Sequence, residues 1–75
     1  MVKRGALRID DNNDFDYDLK QFDKPSKFGI EGGRISKLSL KLNGKYVAVY
    51  DRGWVIRPKT EAAREALRYL LDRYN

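Results

Sequence analysis

Polar and apolar positions along the chain repeat in two ways, with period 2 up to residue 57 and helically beyond it. Phe15, Tyr17 and Leu19 alternate with Asp14, Asp16 and Asp18, the pattern of a strand with one face buried. "GALRIDDNNDFDYDL" therefore predicts a hairpin. With Asp11-Asn12-Asn13 as a three-residue loop, Ile9 faces Phe15, Leu7 faces Tyr17 and Arg8 faces Asp16. That register sets apolar against apolar and joins opposite charges. A second alternation fills "RISKLSLKLNGKYVAVYD" around Asn43-Gly44, a dipeptide suited to the two positive-φ positions of a type I′ turn. It places Leu42 against Lys45, Leu40 against Val47 and Leu38 against Val49 on an apolar face. On the other face Lys41 meets Tyr46, Ser39 meets Ala48 and Lys37 meets Tyr50. Carried further, the same ladder puts Gly33 opposite Trp54, Arg34 opposite Gly53 and Ile35 opposite Arg52, with Gly53 as a bulge in one long strand.

After Pro58 the period changes. Thr60 is a helix cap, and Ala63, Ala66, Leu67, Leu70 and Tyr74 form one apolar stripe. Glu61–Arg64, Glu65–Arg68 and Arg68–Asp72 stand at ion-pair spacing on the outside. The stripe needs a surface, and the apolar sheet face supplies it. The expected fold is a single α+β domain over residues 1–75: a four-stranded, mainly antiparallel sheet with one C-terminal helix packed on one face (ββββα). Strands are expected near 3–10, 14–22, 34–42 and 45–57, and the helix near 61–74.

Composition narrows the chemistry. The chain has no cysteine and no histidine, which removes thiol nucleophiles, disulfides, thiolate zinc sites and every histidine base or ligand. A core built from 75 residues is too small to line an enclosed substrate pocket as well. Function is expected on the surface, with no catalytic residues, metal or cofactor. Asp10, Asn12, Asp14 and Asp16 carry the alternate spacing of a calcium loop, but Phe15 and Gln21 occupy its required glycine and glutamate positions. No run approaches the ~18 apolar residues of a membrane span, and the basic N-terminus lacks a signal-peptide core. A cytoplasmic protein with no membrane partner is expected.

The net charge of +5 is unevenly spread: basic at residues 1–9, acidic at 10–23, strongly basic at 24–59 and balanced beyond. Lys37, Lys41 and Lys45 beside Tyr46 and Tyr50 resemble a platform on which bases stack and phosphates pair. Asp14, Asp16 and Asp18 on the adjoining strand would repel phosphate, so nucleic acid is the alternative partner, not the preferred one. "FGIEGGRISK" is glycine-rich, yet its glycines lead into a strand, whereas a phosphate loop leads into a helix N-terminus; an anion-binding backbone nest is the weaker option. The favoured expectation is that Trp54 packs over Gly32 and Gly33, with Arg34 and Arg52 emerging beside it. Arg34, Arg52, Trp54, Tyr46, Tyr50 and Lys37 form the candidate partner-binding set, since Trp, Tyr and Arg dominate binding hot spots.

"GIEGGRISKL", "YDRGW" and "PKTEAA" together resemble a family of small uncharacterised proteins encoded by phages and prophages, over roughly residues 15–75. Those proteins share G-I-x-G-G-R-[IV]-S-K-L, Y-D-R-G-W and a helix opened by P-x-T-x-E-A. The resemblance implies no catalytic residues. It implies a mobile-element accessory acting in a bacterial cytoplasm, where such proteins bind and inhibit host machinery, defence systems included. A non-enzymatic module binding a host protein, as monomer or homodimer, is the resulting expectation.

Overall fold

The computed structural model describes residues 2–75. Its elements are β1 (Val2–Asp10), β2 (Asn13–Gln21), a 3-10 turn (Ile30–Gly32), β3 (Ile35–Leu42), β4 (Lys45–Asp51), β5 (Trp54–Ile56) and α1 (Glu61–Tyr74). The strands form one antiparallel meander in the order β1-β2-β3-β4-β5. The fold class matches the expectation, with five strands in place of four. What was expected as one strand over 45–57 turns back at Arg52 and Gly53. Arg52 adopts φ 57°, and the Asp51 N–H donates to the Gly53 carbonyl at 2.9 Å.

Each of the four strand pairs shifts register once, and a one-residue bulge moves the following side chains to the other face. In the first hairpin the loop shortens to Asp11-Asn12, because the Asp10 carboxylate accepts from the Asn12 N–H at 2.8 Å and from Asn13 Nδ2 at 2.9 Å. Leu7 consequently pairs with Phe15 and Arg8 with Asp14, a slide of two residues from the expected register that preserves the faces. In the second hairpin Asn43 and Gly44 take φ 52° and 80° as the type I′ turn requires. Leu42–Lys45 and Lys41–Tyr46 pair as expected, then the register slips at Val47. Leu40 meets Ala48, Leu38 meets Tyr50, Ser39 meets Val49 and Lys37 meets Asp51.

The core lies between the sheet and α1, around Phe15, Leu19, Leu38, Leu40, Ala48, Tyr50, Ala63, Ala66 and Leu70. Each fully buried large side chain contributes about 1.5–3 kcal/mol. Leu67 and Tyr74, expected in the buried stripe, are only half-buried against that core. The helix starts where Thr60 Oγ1 accepts from the Ala63 N–H at 3.1 Å. It lies closest to β1, β2 and β3. A helix is about 10–12 Å wide, whereas five strands spaced by about 4.8 Å span about 19 Å. One helix cannot cover such a sheet. The 22–34 loop fills part of the deficit by burying Ile30, and the rest stays open beside β5.

Gly33 does not sit under Trp54. Its partner is Asn75, whose side-chain amide would collide with any Cβ at position 33. Asn75 Oδ1 accepts from the Ile35 N–H at 2.9 Å, and Asn75 Nδ2 donates to the Ile30 carbonyl at 3.0 Å. The Gly32, Gly33 and Arg34 amides donate to the Gly29, Ile30 and Asn75 carbonyls. The glycine loop is thus a seat for the end of α1, and those three amides are already engaged, which removes the anion nest they would have formed.

Candidate functional site

The turn at Arg52-Gly53 reverses the chain so that Trp54 lies beside Tyr50, ring centroids 5.2 Å apart and nearly perpendicular. Tyr50 is buried, with its hydroxyl donating to the Phe28 carbonyl at 2.9 Å. Trp54 stays half-buried, because α1 lies over β1, β2 and β3 and leaves the β5 end of the same face uncovered. The Arg57 guanidinium stands 5.7 Å from its ring centroid.

Between these residues and α1 runs a cleft of about 700 Å³. Trp54, Arg57 and Pro58 line one side. The other is a single helix flank, Arg64, Leu67, Arg68, Leu71 and Asp72, spaced i, i+3, i+4, i+7 and i+8 as one face requires. Glu31, at φ 52°, closes the rim from the 3-10 turn. The helix ion pairs expected from sequence spacing do not form: among the described residues the pairs are Arg8–Asp14 at 3.3 Å and Lys37–Asp51 at 3.9 Å. Arg64 instead donates to the Lys59 carbonyl at 3.3 Å. An indole floor with three guanidinium groups can take an anionic group and an apolar side chain together.

The sequence-derived candidates are dispersed. Of the six, Trp54 alone lines the cleft. Arg34 Nε donates to the Phe22 carbonyl at 3.2 Å and braces the loop. Arg52 is exposed in the β4–β5 turn. Tyr50 is in the core, not on the open face, because of the Val47 bulge. Tyr46 is exposed on the open face with Lys41 Nζ 4.6 Å from its ring, Lys37 pairs with Asp51 there, and Lys45 is exposed at the β3–β4 turn. Arg57, Arg64, Arg68 and Leu71 escaped the sequence reading. The signal available was Leu71, one position off the buried stripe and three beyond Arg68.

The open face carries Asp14, Asp16 and Asp18 between Arg4 and Arg8 on β1 and Lys37 and Lys41 on β3, with Arg4–Asp18 and Asp16–Lys41 directly opposite. Elsewhere, the side-chain hydrogen bond from Asn13 and then the Asn12 backbone N–H hold the Asp10 carboxyl below its usual pKa. Hydrogen bonding to Tyr17, then Arg73, lowers the Tyr74 phenol, while the bond to Tyr74, then burial, raises that of Tyr17. Among the described residues no cluster of three or more Asp, Glu, His or Cys could hold a metal ion, and no helix is long and apolar enough to cross a membrane.

The chain belongs to the DUF7678 family, a domain of unknown function, matched over residues 1–75. The match includes the N-terminal arm, which the motif resemblance left out. No curated protein and no solved structure matches the chain.

Proposed function

We propose that this DUF7678 member is a non-enzymatic binding module for a protein partner, with the cleft between β5 and α1 as its site. The observation supporting this is the position of Trp54, half-buried at the cleft floor among guanidinium groups that, among the described residues, have no carboxylate at ion-pair distance. Tryptophan and arginine contribute heavily at interfaces because each offers a large apolar surface together with directed polar contacts. Nucleic acid is the less favoured partner, since the open face interleaves its lysines with carboxylates. The finer proposal is a host protein in a bacterial cytoplasm, bound on behalf of a phage or other mobile element, including as an inhibitor of host defence. Its support is the motif resemblance.

The test is capture from nuclease-treated bacterial lysate on immobilised wild type, Trp54→Ala and Tyr46→Ala, with thermal melts verifying that each is folded. We expect one protein to be held by wild type and Tyr46→Ala and lost from Trp54→Ala. Retention by Trp54→Ala with loss from Tyr46→Ala would move the site to the open face.

A further inference from the structure

We infer that the cleft binds an acidic segment of a partner protein, its carboxylates meeting Arg57, Arg64 and Arg68 while an apolar side chain rests on Trp54. This rests on the binding-module reading above and commits it to one ligand chemistry. The first support is charge that the fold leaves uncompensated. The cleft lining sets three guanidinium groups, Arg57, Arg64 and Arg68, against the two carboxylates of Glu31 and Asp72, a net positive excess. Arg64 reaches a backbone carbonyl and Arg57 an aromatic face, and neither ion pair among the described residues involves a cleft arginine. Like charges held along one groove raise the local potential, and an incoming anion relieves it.

The second support is the apolar floor. Trp54, Leu67 and Leu71 are half-buried around the space, so a ligand side chain seated there sheds water on both surfaces. The third is the pair of carboxylates, Glu31 and Asp72, in the same lining. A phosphodiester chain bears a charge on every nucleotide and would meet both. A peptide can place its acids at the arginines and a neutral residue at Glu31 and Asp72. The site therefore selects mixed acidic and apolar sequence over a uniform polyanion.

Trp54 is the single tryptophan, so emission excited at the red edge, where the five tyrosines do not absorb, reports on this cleft when the titrated peptides carry no tryptophan. The probe is a displayed random-dodecapeptide library, selected on the full-length protein. Selected peptides are then synthesised and titrated against wild type, Arg64→Glu/Arg68→Glu and the milder Arg64→Gln/Arg68→Gln, with melts recorded for each. The expected pool is net acidic with aromatic or aliphatic residues. Its members shift Trp54 emission saturably, lose at least tenfold in affinity to either double variant, and weaken as salt rises. A pool that is neutral or basic but still shifts Trp54 overturns the acidic assignment and leaves the cleft as a binding site. Peptides that leave Trp54 emission and both double variants unaffected overturn the assignment and the cleft together. Displacement of the peptides by a dodecathymidylate at equal concentration also overturns it, in favour of nucleic acid.

Discussion

Asn75 joins α1 to the strand edge with both halves of one amide, accepting from Ile35 and donating to Ile30. Ile35 is fully buried, so its N–H has no water to fall back on. Asn75→Ala is expected to cost about 1–3 kcal/mol, the penalty for an unpaired buried group, measured by urea denaturation. Asn75→Asp retains the acceptor but turns an oxygen toward the Ile30 carbonyl, and should recover only part of that loss. Full stability in Asn75→Ala would show the latch to be incidental. Nothing in the local sequence marks this residue. Asparagine has no distinctive periodicity, and its partners are about 40 positions away. Gly33 was legible as a seat for something large, but the occupant was not.

At the scale of elements, the helix was the most legible part. Its expected span, 61–74, and its Thr60 cap are those observed. Thr60→Ala should lower stability by about 1 kcal/mol, seen as a fall in Tm, and Thr60→Ser should restore most of it. An unchanged Tm would mean that another group replaces the hydroxyl at Ala63. The hairpins were legible at their turns and less so along their arms. Asn43-Gly44 set the first two pairs of its ladder correctly. Beyond Val47 the bulge turned Tyr50 inward and placed Val49 opposite Ser39. Tyr50 gains there a hydrogen bond to Phe28 and an edge contact with Trp54, neither of which alternation can anticipate.

For the molecule as a whole, one helix over five strands leaves an uncovered strip, and the candidate site is that strip. The same topology sets the charge pattern of the open face, where β2 carries its aspartates between the bases of β1 and β3. Wild type should therefore fail to retard a labelled oligothymidylate at physiological salt. The Asp14→Asn/Asp16→Asn/Asp18→Asn variant should acquire binding whose logarithm falls with log salt by about 0.7 per phosphate contacted. Tight wild-type binding, or none in the triple variant, would show that the aspartates are not what excludes nucleic acid.

The sequence by itself determined the fold class, the helix and its cap, the Asn43-Gly44 turn, the two hairpins and the absence of histidine and cysteine chemistry. These follow from local periodicity, local turn preferences and composition. Tertiary structure alone decided the reversal after Asp51, the bulge at Val47, the Asn75 latch and the gathering of Trp54 with Arg57, Arg64 and Arg68. Each depends on which distant backbone groups find partners and on how much sheet one helix can cover. Trp54 belongs to both accounts: its residue type marked it for binding, and only the packed fold showed the arginines it stands among.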